Sequence, residues 1–300
     1  MDEPGDESKL ELTIAGALRE AATALRVAGL SEPRREAGSL LSHVLGRDTA
    51  FLITHADETL TADELSSLRE AVARRAGGEP FQYIAGRQEF YGLEFEVSPD
   101  VLIPRPETEL LVETALELLK ETPSPFVCDV GTGSGCVAVS LLAERRDARA
   151  VALDISPAAL RVAARNAERN GVSDRVRFLV SDCFGALENE DGERFDLPFD
   201  LIASNPPYVA EDELETLQRE VRDYEPRAAL TPGGDGLSVV RRLLADAPRY
   251  LKPGGHLVME IGYGQHESVR SLVDARAWTL LGIRPDLQGI PRTVALRRAP

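Results

Sequence analysis

The sequence predicts an α/β fold, in which a mainly parallel β-sheet carries helices on both faces and follows a small all-helical region. From Phe126 onward, strand-like stretches alternate with stretches of helical periodicity, as is typical of parallel sheets. Residues 1–84 contain only short amphipathic helical patterns, whereas a two-residue period and a proline-rich link occupy residues 85–105. We therefore expect a helical domain over 1–84, a β-hairpin and linker over 85–105, and a sheet domain over 106–300.

Three helices are predicted in the N-terminal region, and each has a recognisable boundary. The first is expected to end near Gly29, and the second to run from Pro33 to Gly46. The third has Thr61 as its candidate N-cap, with Glu64 three residues later, as in a capping box. His43 lies inside the second helix and is interpreted as a structural residue, so these helices contain no catalytic constellation.

A β-hairpin is predicted where the stretch RQEFYGLEFEVS alternates around Gly92. Pro106 suits the first turn of the next helix, and Glu107 and Glu109 suit its positive end. The predicted sheet strands are FVCDVG, RAVALDI, VRFLVSD, FDLIASN, HLVMEIG and two more near the C-terminus. The acidic stretch ENEDGERFD is interpreted as a solvated loop. Ligands of such sheets bind at the carboxyl ends of the strands, so the site is expected there.

Composition and charge narrow the function classes. A hydrophobic content of 43% and a charged content of 28% are those of a soluble globular protein. No apolar run approaches the roughly 20 residues of a membrane span, and the N-terminus lacks the order of a signal peptide, so a cytoplasmic protein is expected. The net charge of −16 argues against non-specific binding to nucleic acids. The cysteines (Cys128, Cys136 and Cys183) lack metal-ligand spacing and are expected to be reduced, buried thiols, with no metal site.

A nucleotide-like cofactor site is predicted at consecutive strand ends. Gly131, Gly133 and Gly135 separate a strand from a helix, where glycines let the backbone approach a ligand and leave the helix N-terminus free to face it. Asp154 ends the second strand, at about the distance at which an acid binds ribose hydroxyls in dinucleotide folds, although it could instead cap the following helix. Asp182 ends the third strand at the same edge of the sheet.

The acid that precedes the glycine loop bears on the identity of the cofactor. Asp129 would oppose the pyrophosphate of a nicotinamide cofactor, which needs an anion-binding cradle. S-adenosylmethionine has no phosphate and carries an ammonium group and a sulfonium cation. The loop with its acid therefore favours S-adenosylmethionine.

The tetrapeptide Asn205-Pro206-Pro207-Tyr208 follows the fourth strand and is expected at the same edge. A planar amide or exocyclic amine is a poor nucleophile because its lone pair is delocalised. The side-chain oxygen of Asn205 and the carbonyl of Pro206 could accept hydrogen bonds from its two N–H groups, orient the lone pair and stabilise the developing charge. The prolines hold these acceptors in place, and Tyr208 could pack on a flat substrate. This pattern predicts methyl transfer to a planar nitrogen.

The chain resembles the bacterial release factor glutamine methyltransferases, the PrmC/HemK family, over nearly its whole length. The resemblance runs through "IPRPETE", "DVGTGSGCVAVSLL", "FDLIASNPPYV", "EPRAAL", "GGDGL" and "DLQGIPRTVAL". It implies a class I S-adenosylmethionine-dependent methyltransferase fold, Rossmann-like, joined through a β-hairpin to a helical N-terminal domain that recognises the substrate. The implied activity is methylation of the side-chain amide nitrogen (N5) of the glutamine in the Gly-Gly-Gln motif of class 1 peptide chain release factors. A monomeric enzyme without direct nucleic-acid or membrane contacts is expected.

The resemblance also implies roles for particular residues. Asp154 is expected to hold the ribose hydroxyls, and Asp182 and Cys183 to lie beside the adenine, although many relatives have an aromatic residue in place of Cys183. Arg105 and Glu107 lie in the family's linker pattern, where a supporting role and interdomain packing are both open. The expected cofactor-lining residues beside Asp129 and Asn205 are Gly131, Thr132, Gly133, Ser134 and Gly135. The expected catalytic and glutamine-binding residues are Asn205, Pro206, Pro207 and Tyr208.

Two other functions compete with this one. An adenine-amino (N6) nucleic-acid methyltransferase would use the same tetrapeptide, but such an enzyme normally needs a basic groove, which the acidic balance disfavours. A non-catalytic binding module would not need the set formed by Asp129, Asp154, Asp182 and Asn205.

Overall fold

The computed structural model describes residues 12–187 and 198–300. The chain divides into two compact units, Met1–Ala85 and Gly86–Pro300. The N-terminal stretch that bears on a signal peptide and the acidic loop predicted over 188–196 lie outside the described residues. The β-hairpin belongs to the second unit. Within the part of the chain that the structure describes, no helix is both long and apolar enough to cross a membrane.

The first unit is helical, as predicted. Its helices are α1 (Ile14–Val27), α2 (Pro33–Leu45), α3 (Thr49–Thr54), α4 (Ala62–Ala76) and α5 (Phe81–Ala85). The capping box at the start of α4 is confirmed, since the Thr61 side chain accepts from the Glu64 N–H and the Glu64 carboxylate accepts from the Thr61 N–H at 2.8 Å. Helices α3 and α5 were not predicted, because five or six residues are too few to show a helical period.

The second unit begins with the predicted hairpin, formed by β1 (Arg87–Phe90) and β2 (Leu93–Glu96). Tyr91 and Gly92 form its two-residue turn with φ of 53° and 71°, the positive values that a tight hairpin turn favours. A 3₁₀ turn over Pro106–Thr108 then leads into α6 (Glu109–Leu118), with Pro106 in the first turn as expected.

The main sheet has seven strands in the order β5-β4-β3-β6-β7-β9-β8. The five strands from β5 to β7 are parallel, and β9 pairs antiparallel with both β7 and β8. Because the strand order reverses beside β3, a crevice forms at the carboxyl ends of β3 and β6. The strands are β3 (Phe126–Val130), β4 (Arg149–Asp154), β5 (Val176–Val180), β6 (Phe199–Ser204), β7 (Leu251–Glu260), β8 (Trp278–Pro285) and β9 (Pro291–Arg298).

Helices cover both faces of this sheet. They are α7 (Cys136–Glu144), α8 (Pro157–Arg169), α9 (Arg219–Tyr224), α10 (Arg227–Leu230), α11 (Ser238–Asp246) and α12 (His266–Leu272). Alternate residues of a strand enter different cores: Val127 packs in the core that holds α6, α7 and α8, whereas Cys128 packs in the core that holds α11 and α12. The mainly parallel α/β fold predicted from the sequence is therefore confirmed.

The three cysteines are free thiols, but only Cys128 is buried. Cys136 and Cys183 are partly exposed, so the prediction of buried thiols is wrong for these two. The reason is their position: both line the cavity at the carboxyl edge of the sheet, one at the start of α7 and the other beyond β5.

Candidate active site

A cavity of about 470 Å³ opens at the carboxyl ends of β3, β4, β5 and β6, within the second unit. Such a volume is in the range of small-molecule and cofactor sites. Residues predicted for the site that line it are Asp129, Gly131, Thr132, Gly133, Ser134, Asp154, Asp182, Cys183, Asn205 and Pro207. Gly135, Pro206 and Tyr208 do not line it.

The glycine loop is tied to the end of β4. The N–H groups of Gly131 and Thr132 both donate to the carbonyl oxygen of Leu153, at 2.8 and 2.9 Å. The N–H of Gly133 donates to Oδ2 of Asp154 at 2.8 Å. Gly131 and Gly133 have φ of 75° and 54°, which glycine adopts without strain. The loop is thus held in one shape along the cavity wall.

Gly135 has a packing role in this structure. It is the N-cap of α7 with φ of 83°, and a Cβ at this position would lie 3.1 Å from the Cβ of Ala163 on α8. Glycine here lets α7 approach α8 closely. The residue therefore shapes the site from outside the cavity.

Two aspartates lie at the base of the loop. Asp129 is 2% exposed, and its Oδ2 accepts from Oγ1 of Thr132 at 2.7 Å and from the N–H of Ala138 at 3.2 Å. Burial raises the pKa of Asp129 to about 6, and the nearby Asp154 adds to the shift. Burial likewise raises the pKa of Asp154, whose Oδ1 accepts from the N–H of Ser156 at 2.9 Å.

Asp182 and Cys183 lie beyond the end of β5 and line the cavity. The Asp182 side chain is largely exposed and forms an ion pair with Arg242 of α11, with Nη1 at 2.8 Å from Oδ1. Cys183 adopts a left-handed backbone with φ of 49°, and its carbonyl oxygen accepts from Oγ of Ser181 at 2.7 Å. Arg242 also lines the cavity, and sequence reasoning missed it because α11 is about 60 residues from Asp182 along the chain.

The tetrapeptide begins immediately after β6. Ser204, the last residue of this strand, donates from Oγ to the carbonyl oxygen of Val130 at 2.7 Å and so fixes the strand end against β3. Asn205 is half-buried, and its Nδ2 donates to Oγ1 of Thr108 at 3.0 Å. Its carbonyl oxygen Oδ1 is thereby left to accept a hydrogen bond at the cavity wall.

Tyr208 is turned toward the protein interior. Its hydroxyl donates to Oε1 of Glu260 at 3.2 Å, and burial raises its pKa well above the ordinary range. Its carbonyl oxygen accepts from Nε2 of Gln265 at 2.8 Å, and a Cβ on Gly236 would lie 2.3 Å from that same oxygen. These contacts fix the backbone of the tetrapeptide at its C-terminal end.

Thr108 and Glu260 were missed as site residues by sequence reasoning. Both are 1% exposed, and Oγ1 of Thr108 donates to Oε2 of Glu260 at 2.6 Å. Burial raises the pKa of Glu260 to about 7. The sequence signal that could have identified Glu260 is its place at the end of the apolar strand HLVMEIG, because buried carboxylates are rare without a specific partner.

The linker before α6 is anchored by a second buried acid, Glu225. Its carboxylate accepts from the guanidinium of Arg105 and, at 3.1 Å, from the N–H of Ile103. Both linker positions, Arg105 and its neighbour Pro104, line the cavity. The structure thus gives Arg105 a supporting contact at the site, and Glu107 is half-buried beside Thr108.

Comparisons with known proteins identify the family of this chain. Residues 16–86 match the PrmC N-terminal domain, and residues 123–276 match a methyltransferase domain. The release factor glutamine methyltransferase of Koribacter versatilis is 46% identical over 287 residues, which cover 96% of this chain and 99% of the relative. That of Cereibacter sphaeroides is 44% identical over 283 residues, which cover 94% of this chain and 98% of the relative.

A crystal structure of a release factor-specific protein-(glutamine-N5) methyltransferase from Alicyclobacillus acidocaldarius is also similar. It is 32% identical, covers 69% of this chain and 100% of its own, and superposes with a TM-score of 0.42. Because the identity to these two relatives exceeds 40% over more than nine-tenths of the chain, the sequence relationship settles the family. This chain therefore belongs to the release factor glutamine methyltransferase family.

Proposed function

We propose that this protein transfers a methyl group from S-adenosylmethionine to the side-chain amide nitrogen, N5, of the glutamine in the Gly-Gly-Gln motif of class 1 release factors. The observation that carries this proposal is the placement of Asn205. It lies in the cavity wall beside the glycine loop, with Nδ2 bound inside the protein and Oδ1 left to accept. An acceptor at this position suits a substrate nitrogen that bears two N–H groups.

The residues of the cavity fit S-adenosylmethionine, which when bound supplies a methyl group activated by a sulfonium cation. Four aspartates (Asp100, Asp129, Asp154 and Asp182) line the cavity against two arginines, Arg105 and Arg242, and each arginine is paired with an acid. Such a wall suits a cationic ligand better than a pyrophosphate. The Asp154 carboxylate accepts backbone N–H groups, among them those of Gly133 and Ser156, and a carboxylate has about four lone-pair sites, so this side chain would also hold the ribose hydroxyls.

The remaining cofactor roles follow from position. The loop from Gly131 to Ser134 would contact the methionine part, and Asp182 with Cys183 would lie beside the adenine. Cys183 is too small to stack as an aromatic ring does, so the adenine would be held mainly by Asp182 and by the exposed side chain of Ile155, which also lines the cavity.

The tetrapeptide would hold the glutamine amide. Oδ1 of Asn205 and the carbonyl of Pro206 would accept its two N–H groups and so orient the nitrogen lone pair for attack. The same two oxygens would stabilise the positive charge that develops on the nitrogen as it takes up the methyl group that the cofactor supplies. The amide nitrogen then loses a proton to water, so the site needs no strong base. Tyr208 acts differently from its neighbours: it anchors the loop through Glu260.

The partner follows from the same proposal. A whole release factor supplies more recognition surface than one glutamine, and the helical unit is the candidate to bind it. We further propose a monomeric, cytoplasmic enzyme that does not bind nucleic acid directly, in keeping with the net charge of −16. Adenine-amino methylation would need the same tetrapeptide, but the family relationship supports the glutamine substrate.

A methyl-transfer assay with labelled S-adenosylmethionine tests this function. The substrates are a release factor, the same factor with its Gly-Gly-Gln glutamine changed to alanine, and adenine-containing DNA. We expect label on the intact factor alone, and a loss of about a hundredfold in turnover for Asn205→Ala with cofactor binding retained. Label on DNA alone would overturn the glutamine assignment, and the absence of cofactor binding would overturn methyl transfer altogether.

A further inference from the structure

A chain of buried hydrogen bonds lies behind Asn205 and joins three separate elements. Nδ2 of Asn205 donates to Oγ1 of Thr108 at 3.0 Å, and Oγ1 of Thr108 donates to Oε2 of Glu260 at 2.6 Å. The second carboxylate oxygen, Oε1, accepts from the hydroxyl of Tyr208 at 3.2 Å. These residues come from the loop after β6, the 3₁₀ turn before α6 and the last position of β7.

The chemistry of the groups gives this chain a direction. An ionised carboxylate only accepts, so Glu260 requires the single hydroxyl proton of Thr108 to point toward it. Thr108 then has only lone pairs to offer on its other side. The part of the Asn205 carboxamide that faces Thr108 must therefore be the donor, Nδ2, and Oδ1 must point the opposite way.

We infer that Thr108 and Glu260 are positioning residues, which fix the orientation of the Asn205 carboxamide so that its oxygen, rather than its nitrogen, meets the substrate amide. This inference rests on the function proposed above. A carboxamide turned by 180° would present N–H groups to the N–H groups of the glutamine, and two donors cannot bond. This hydrogen-bond relay, which runs from Glu260 through Thr108 to Asn205, thus selects one of two orientations of the Asn205 carboxamide that are nearly equal in shape.

The size of the effect follows from the burial of the amide. Without the Thr108 hydroxyl, Nδ2 in its present orientation loses its partner inside the protein and becomes an unsatisfied buried donor. The carboxamide then favours the turned orientation, with Nδ2 in the cavity where water can bond it. Restoring the productive orientation on substrate binding lowers kcat/KM by about tenfold to a hundredfold, since tenfold corresponds to about 1.4 kcal/mol.

Three variants test the relay in the full-length protein. Thr108→Val removes the hydroxyl and keeps the side-chain shape, whereas Thr108→Ser keeps the hydroxyl. Thr114→Val removes another buried threonine hydroxyl, which donates to the Leu110 carbonyl, accepts from Nη1 of Arg284 and lies outside the cavity wall. We expect a large loss of kcat/KM for Thr108→Val alone, recovery in Thr108→Ser, and unchanged S-adenosylmethionine affinity in all three. Equal kcat/KM for Thr108→Val and wild type would overturn the relay.

Nuclear magnetic resonance supplies a readout that does not depend on activity. The sequence has only four asparagines, so ¹⁵N-asparagine labelling gives four side-chain amide pairs, and Asn205→Ala identifies the pair of interest. We expect the Asn205 pair to shift and to exchange faster with water in Thr108→Val but not in Thr108→Ser or Thr114→Val. An unchanged Asn205 pair in Thr108→Val would overturn the inference. Failure of wild type to label the release factor would instead overturn the proposed function, while the amide signals still decide the orientation.

Discussion

Gly135 shows how a single residue shapes the site without touching a ligand. Its φ of 83° strains any side chain, and a Cβ at 3.1 Å from that of Ala163 would require α8 to shift by a few tenths of an ångström. We expect Gly135→Ala to lower the free energy of unfolding by about 1–3 kcal/mol, because it adds backbone strain and forces α7 away from α8. Urea unfolding measures this change. Gly185→Ala is the control, because its Cβ would meet no atom within 4 Å; equal stability of the two variants would contradict the packing role.

Asp154 combines two tasks in one carboxylate, since it holds the glycine loop and has lone pairs free for the ribose. We expect Asp154→Ala to weaken S-adenosylmethionine binding by about tenfold or more, because hydrogen bonds to a charged group contribute about 1.5–3 kcal/mol. Titration calorimetry with S-adenosylmethionine and with its 2′-deoxy analogue separates the two tasks. If the ribose is held here, the two ligands differ in wild type and bind equally to Asp154→Ala; a difference that persists in the variant would refute the ribose contact.

The elements differ in how far the sequence could predict them. Helix α4 and the strands β3, β4 and β6 have clear caps or apolar runs, and parallel alternation places their carboxyl ends at one edge, so the glycine loop and the tetrapeptide could be brought together in advance. The contact between Thr108 and Glu260 could not be predicted in this way. The two residues are 152 positions apart in the chain, and the sequence does not show that β7 lies beside β6 in the strand order. The hydroxyl of Tyr208 is held by the buried Glu260, a contact that the sequence did not predict, whereas packing of its ring on the substrate stays a prediction.

Protonation of Glu260, the last residue of β7, has opposite effects on the stability of the fold and on the proposed activity. The pKa of Glu260 is raised from 4.5 to about 7 by burial, so the folded state holds its proton more tightly than the unfolded chain does. Its contribution to stability is full below about pH 4.5 and is lost as the pH rises through about 7, a change of about 3 kcal/mol. The groups that face it are Glu107 and Thr108 of the 3₁₀ turn, Tyr208 of the loop after β6, Arg292 of β9 and Cys136 of α7.

Glu260→Gln removes this titration. We expect the variant to gain about 3 kcal/mol in unfolding free energy relative to wild type between pH 4 and pH 8, measured by chemical denaturation at each pH. In wild type, kcat/KM should fall as the pH drops below about 7, because a neutral carboxyl can also donate and no longer fixes the direction of the relay. The variant should have a lower, flat profile. Glu117→Gln, an exposed acid of α6, is the control, and an unchanged acid limb in Glu260→Gln would exclude Glu260 as its source.

At the scale of the whole molecule, binding of the cofactor and recognition of the protein substrate can be separated. All residues that line the cavity come from Gly86–Pro300, which has two hydrophobic cores of its own. The buried residues that form the core of the first unit all lie within that unit, between Ile14 and Ile84. Units with independent cores can in principle fold alone. The structure therefore assigns no cavity-lining residue to the helical unit, and its proposed task is to hold the release factor.

Removal of residues 1–85 tests this division of tasks. We expect the fragment 86–300 to unfold cooperatively and to bind S-adenosylmethionine with the affinity of the full chain, because every residue that we propose to hold the cofactor is retained. Transfer to a release factor should fall by at least about a hundredfold through a raised KM, since most of the recognition surface is gone. Calorimetry and the labelled transfer assay measure the two quantities on the same preparation. A fragment that binds cofactor and methylates the release factor with an unchanged KM would place recognition in the sheet unit instead, whereas loss of cofactor binding would mean that the helical unit is needed to form the site.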